Sequence, residues 1–287
     1  MPEKQYGGQA VIEGVMMRGE GHIAVAVRKE DGDIVIDKKE LNSLSKRFKF
    51  LKLPIFRGVV ALFQSLIIGL QALTFSANQF SEEEEDLDLW ELISTIAISF
   101  GLAIGIFVVL PAVLISFIQK YLSSAIAINL IEGLIKVSFF LIYILIISRL
   151  EDIKRVFEYH GAEHKVIHNY ESELPLSPEN AKGFSTLHPR CGTNFLLIVM
   201  LMSVLLFSFF GKPSLINRIL IHVSLLPIVA GLSYELIKQA GKDNANKLFK
   251  LAALPGLHLQ KLTTREPSLD QLEVAIKSLE SVLQEEK

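Results

Sequence analysis

Cysteine is nearly absent from this chain: Cys191 is the only one in 287 residues. No intrachain disulfide can form, and the thiol belongs in a reducing compartment. An excess of either charge is also lacking. Lys and Arg total 29 against 31 Asp and Glu, a formal net charge of −2. No basic stripe points to nucleic acid as a partner. The first residues, MPEKQYGGQA, hold no apolar core, so a cleaved export signal is not expected. Nucleotide fingerprints are missing as well. The glycines of "YGGQAVIEGVMMRG" have the wrong spacing for a P-loop and for a dinucleotide site.

What the chain does have is apolar residues. They make up 50% of it, and the mean hydropathy is +0.39. That is too apolar for an ordinary soluble domain, so the membrane class comes first. Four stretches are long and apolar enough to span: Leu92 to Ile118, Leu130 to Ser148, Phe195 to Phe210 and Leu215 to Ile237. Short links make them two helical hairpins, 92–148 and 195–238, with Gly211 and Pro213 breaking the second. A fifth apolar stretch, within 51–80, carries Arg57, Gln64, Gln71 and Asn78, each seven residues after the last. On a helix these form one polar seam. It reads as an amphipathic or re-entrant helix at the interface, against the alternative of a fifth span. Four spans put residues 1–50, the loop 149–194 and the tail 239–287 on one side. Those parts carry nearly all the Lys and Arg, so that side is expected to be cytoplasmic, termini included. "SEEEEDLD", in the segment 81–91, reads as a solvated acidic linker.

The expected fold is therefore mainly α: a polytopic membrane protein with about four spanning helices, one amphipathic helix and a small N-terminal β element. The β element rests on apolar alternation either side of Asp31-Gly32, a hairpin signal. It needs the rest of the chain to bury its face. The tail ends in "PSLDQLEVAIKSLESVLQEEK". Ser268 and Gln271 have capping-box spacing, and Leu269, Leu272, Ile276, Leu279 and Leu283 form an apolar stripe. Such a helix docks on its own protein, or it binds a protein partner or a second copy.

The loop between the hairpins contains "HGAEHKVIH", His160 to His168. Ile153, Val156, Phe157, His160, His164 and Ile167 keep helical spacing, so the histidines lie on the inward face of a helix running on from the second span. Gly161 weakens that helix by about 1 kcal/mol relative to Ala and marks a candidate kink. Histidines at i and i+4 can both reach one ion. His168 follows one turn later, and His188 and Cys191 come in "HPRCGTN". His160, Glu163 and His164 match the H-x-x-E-H pattern of inverted zinc peptidases. In that chemistry two histidines hold a divalent ion, here most simply zinc. Glu163 would be the general base on a water whose pKa the ion lowers to about 7. Glu235 is the candidate third ligand, with Glu13 and Glu171 as rivals. Asn169 or Asn194 would hold the free imidazole N–H groups. The plainer reading is a polar network of the histidines with Arg190, Tyr159 and Tyr170. A nucleophilic pair of Cys191 with His188, three residues apart, gives no triad geometry. Glu132 and Lys136, four apart near the outer end of the second span, read as a structural or snorkelling ion pair. His222 lies inside the fourth span.

Five motifs occur in order along almost the whole chain: "GGQAVIEGVMMRG", "RGVVALFQSLIIGLQALTFSANQ", "EYHGAEHKVIHNYE", "HPRCGTNF" and "LTTREPSLDQLEVAI". Together they resemble the bacterial YqhQ-like family, domain of unknown function 1385, whose members are uncharacterised multi-pass membrane proteins. Some members carry the label "predicted metal-dependent enzyme". The resemblance implies a bacterial cell-membrane location and is compatible with a metal site; His160, Glu163, His164 and Lys165 match the family's His-rich motif and form the expected centre of function. It implies no reaction. Three functions compete. The first is a metal-dependent hydrolase acting on a lipid or a membrane peptide. The second is a non-catalytic scaffold or adaptor that binds partners through its C-terminal helix. The third is an oligomeric ion or lipid transporter using the polar seam.

Overall fold

The structure is a computed structural model that describes residues 6–41, 53–80, 89–240 and 246–286. The acidic run 81–88 lies outside the described residues. Four antiparallel strands, β1 (Gly7–Val11), β2 (Gly14–Arg18), β3 (His22–Arg28) and β4 (Ile34–Glu40), pair in sequence order. The β3–β4 turn falls at the expected Asp31-Gly32, with Gly32 at φ +93°, a conformation glycine adopts without strain. Ten α-helices follow among the described residues. They are α1 (Phe56–Asn78), α2 (Leu89–Ile104), α3 (Leu110–Ile118), α4 (Ala125–Ile147), α5 (Glu151–Glu171), α6 (Pro178–Lys182), α7 (Gly192–Phe207), α8 (Leu215–Ala240), α9 (Lys247–Thr263) and α10 (Leu269–Glu285). A π turn, Gly105–Val109, joins α2 to α3.

The strands alternate between two cores. Val15, Met17, Ala24 and Ala26 point to one face of the sheet, where they pack with Tyr159, Val166 and Ile167 of α5 and with Leu272, Leu279 and Val282 of α10. Met16, Ile23, Val25 and Val27 point to the other face, against Ile68, Ala72, Leu73 and Phe75 of α1. The β element thus has helices on both faces, which is why β2 and β3 are buried along almost their whole length. Helix α10 starts with the expected capping box at Ser268 and Gln271. Its stripe is spent inside the chain: Leu272, Ile276 and Leu279 are buried, and only Leu269 is exposed. The Ser278 hydroxyl fixes its register on the sheet, accepting from the Met17 N–H (3.0 Å) and donating to the Ala24 carbonyl (2.9 Å).

Five helical segments among the described residues have the length and apolarity of a membrane span, one more than the four expected. The added one is α1. Its contact stripe is made of small residues, Gly58, Gly69, Ala72 and Ser76, not of the polar seam. Gly58 sits against Gly231 and Tyr234 near the end of α8, and Gly69 sits against the Gln9 side chain of β1. Of the seam, Arg57 is bound by the Glu235 carboxylate, Gln64 is half-buried, and Gln71 and Asn78 are exposed. Within one chain the seam therefore lines no common interior path. Helix α9, in the tail expected to be cytoplasmic, packs against the apolar helices α4 and α7. Its Gly256 lies on Asn194 of α7, and its Leu259 joins Phe140, Ile144 and Leu197.

Candidate metal centre

Helix α5 carries most of the centre. It opens with Glu151 and Asp152 in its first turn, where carboxylates complement the helix dipole, and it runs unbroken through Gly161. The expected kink is absent because the glycine serves packing. A Cβ there would collide with the Arg265 carbonyl. The chain after α9 thus lies directly on α5, held by the Arg265 N–H donating to the Phe157 carbonyl (2.9 Å).

That close approach orients the first imidazole. His160 Nδ1 lies 2.9 Å from the Thr263 carbonyl, so this nitrogen carries the proton and Nε2 offers a lone pair. His164 repeats the device, with Nδ1 2.5 Å from the Thr186 carbonyl. Its Nε2 is buried with no hydrogen-bond partner. Cys191 completes the group: its Sγ lies 3.2 Å from His160 Nε2, and His160, His164 and Cys191 place their ligand atoms within 4.8 Å of one another. Cys191 also caps α7, accepting from the Thr193 N–H. A second group, His168, Glu171 and His188, likewise brings its ligand atoms within 4.8 Å of one another. The His164 and His188 ring centroids are 5.6 Å apart, so the two groups adjoin. His168 Nε2 is engaged by the Leu187 carbonyl at 2.9 Å, while His188 Nε2 is buried and unpartnered, 3.6 Å from Glu171.

Glu163 stands beside the first group, 4.0 Å from His160 Nε2 and 3.9 Å from His164 Nε2. Burial pushes its carboxyl above its ordinary value, against the pull of His160 and of the Gly8 backbone N–H. Burial likewise pushes Glu171 up, but His188 and Arg190 outweigh it and hold the carboxyl down to about 2. Burial takes His188 down to about 4, with Glu171 opposing. A cavity of about 500 Å³ opens onto Glu163, His160, His188, Arg190 and Cys191, with Gly7 and Gly8 of β1 on one wall and Leu196 of α7 on another. Gly8 is required there, since a Cβ would meet the Met16 carbonyl and the Glu163 side chain.

Several expected participants lie elsewhere. Glu235, the candidate third ligand, is bound by Arg57, and it is Cys191 whose ligand atom lies near those of His160 and His164. Glu13 turns away at the β1–β2 turn, held by Arg155 and Tyr159. Asn169 secures the turn after α5 through the Leu174 and Pro175 carbonyls. Asn194 binds the Pro189 carbonyl and Gln260. Backbone carbonyls, not these amides, hold the imidazole N–H groups. Of the network partners, Arg190 joins through Glu171, whereas Tyr159 binds Glu13 and Tyr170 packs edge-on against Tyr6. Cys191 pairs with His160 rather than His188. Reasoning from sequence misses Gln260, which is fully buried, accepts from the His188 N–H (2.8 Å) and donates to the His188 carbonyl (2.8 Å).

A family model described as "Protein of unknown function (DUF1385)" matches residues 53–285. The chain belongs to the DUF1385 family. It is 36% identical over 292 residues to "Uncharacterized protein YqhQ" of Bacillus subtilis (strain 168), covering 97% of this chain and 92% of that one. No solved structure matches. Membership therefore agrees with the resemblance carried by the five motifs, and both the α5 histidines and "HPRCGTN" fall inside the matched region.

Proposed function

We propose that this DUF1385 protein is a metal-dependent enzyme of the cytoplasmic membrane surface, with His160, His164 and Cys191 as ligands. The observation that carries this reading is the arrangement of the two histidines. Each gives its Nδ1 proton to a backbone carbonyl, which leaves both Nε2 atoms for a shared centre where one of them has no other partner. Metal-ligating histidines are held in this way. The donor set of two imidazoles and one thiolate suits zinc, and three protein ligands leave a fourth position free for chemistry. A divalent ion held there would supply Lewis acidity.

The chain's own groups would do the rest. Glu163 is within reach of a water beside the two Nε2 atoms and would take its proton. Arg190, on the cavity wall, would receive negative charge developing on a substrate. The cavity borders the first turn of α7, where a spanning helix begins, so the substrate would be a lipid or a membrane-bound peptide and the reaction a hydrolysis. The Lys and Arg carried by residues 1–50, the loop 149–194 and the tail 239–287 support a cytoplasmic position for it.

A second reading rests on one contact. The 3.2 Å separation of Cys191 Sγ and His160 Nε2, with His160 oriented by Thr263, also suits a thiol nucleophile and its base. One experiment separates the two readings: elemental mass spectrometry of the purified protein, wild type and His160→Ala/His164→Ala, beside the rate of Cys191 alkylation with and without chelator. One ion per chain, lost in a double variant of unchanged helicity, with alkylation accelerated by chelator, is the expected result. No bound metal after incubation with Zn²⁺, Mn²⁺ or Fe²⁺, and alkylation indifferent to chelator, would remove the metal reading.

A further inference from the structure

A second feature lies away from the histidines, within the spans. Glu132 and Lys136 of α4 do not snorkel outward as their position near the helix end suggests. Both are buried, and they are joined there by two residues of α8, Arg218 and His222. Glu132 is 2.9 Å from Lys136 and 2.7 Å from His222, and it also binds Arg218. His222 Nδ1 lies 2.6 Å from the Arg218 carbonyl, and its buried Nε2, beside Glu132, makes no hydrogen bond. One carboxylate thus faces an amine, a guanidinium and an imidazole. Arg218 takes Gln119 as a further partner (3.1 Å), and its buried Nε has none. A surplus of positive charge in an apolar interior is costly unless an anion compensates it.

The cluster closes one end of an apolar cavity of about 340 Å³. Lys136 and His222 line it together with Phe107, Phe140, Tyr143, Val199, Met200 and Leu226. The π turn between α2 and α3 puts Phe107 and Val108 into the wall, and π turns inside helices recur at functional sites. Two of its lining residues, Leu196 and Leu226, are exposed on the surface of the apolar helices.

We propose that this cavity binds a single acyl chain with an anionic head group, a carboxylate or a phosphate. The head would sit at Lys136 and His222 and complete the charge balance, and the chain would lie against the aromatic wall. This site is independent of the metal reading, and its test involves no metal. A diazirine-bearing palmitate is photocrosslinked to the full-length protein in phosphatidylcholine nanodiscs, and the labelled peptides are mapped. Labelling at Phe107, Phe140, Tyr143 or Met200 is expected. It should fall at least tenfold in Val199→Trp, which fills the cavity and leaves every charge in place, with helicity and gel-filtration profile unchanged. Palmitate or lysophosphatidate should compete, and whichever competes better identifies the head group. Hexadecanol and hexadecylamine should not. Labelling that survives Val199→Trp, or that hexadecanol removes as well as palmitate does, would overturn the proposal. So would an unlabelled protein that instead dissipates a proton gradient in liposomes.

Discussion

Gly161 is where sequence and structure predict opposite signs. By helix propensity alone, Gly161→Ala adds about 1 kcal/mol of stability. The structure argues the reverse. The new methyl would meet the Arg265 carbonyl, a backbone atom pinned by its own N–H to Phe157, so no side-chain rotation relieves it. Overpacking of this kind costs roughly 1–3 kcal/mol, and a rigid neighbour places the cost near the top of that range. The net expectation is a loss of about 2 kcal/mol. A second effect follows from the same displacement. Moving the 263–265 segment takes the Thr263 carbonyl away from His160 Nδ1, and losing such a support lowers metal affinity about 10- to 100-fold. The assay is the thermal midpoint in detergent, followed by zinc titration against a chelating indicator. A raised midpoint with unchanged zinc affinity would show that α5 and the 263–265 segment do not touch, and the account of the centre would fall with it.

Other substitutions test other parts. Gln260→Leu leaves the buried His188 backbone groups and the Asn194 side-chain oxygen without this partner, and should cost on the order of 3 kcal/mol in chemical denaturation. Leu279→Ala, fully buried between sheet and α10, should cost about 2–5 kcal/mol by the same measure. Glu132→Gln should destabilise more than Lys136→Met, by roughly 3–5 kcal/mol, because Glu132 is the shared partner of Lys136, Arg218 and His222. Glu163→Gln should keep metal content while abolishing any hydrolytic activity. Loss of the ion in that variant would instead make Glu163 a ligand.

The parts that were legible in the sequence share a local cause. The Asp31-Gly32 hairpin, the capping box at Ser268 and the paired faces of His160 and His164 each follow from spacing within a few residues. What was hidden depends on long-range contact. Cys191 reaches His160 only because α7 starts beside α5, and the groups that orient the imidazoles are backbone carbonyls of Thr263 and Thr186, which leave no mark in the side-chain code. Glu235 was favoured because it lies at the right end of its helix, but Arg57, 178 residues away, holds it. Composition alone does not place helix α1. Its apolar residues do not tell lipid from sheet, and Ile68, Ala72, Leu73 and Phe75 are apolar because they cover strands.

The same long-range economy decides what a C-terminal deletion can mean. If α10 were a recruiting helix, removing residues 267–287 would leave the fold intact and abolish only a partnership. In this structure α10 supplies Leu272, Leu279 and Val282 to the core that β2, β3 and α5 share, and Ser278 ties it to both strands. It also begins only a few residues after Thr263, so its docking helps hold the carbonyl that orients His160. Deletion should therefore expose one face of the sheet and loosen the metal centre together. A severe phenotype is expected whether the protein is an enzyme or a scaffold, so it cannot separate those readings. A substitution confined to an exposed position of α10, such as Leu269→Asp, can. It leaves the core untouched, so unchanged stability with lost function would restore a partner to this helix, and unchanged function would assign α10 to folding alone.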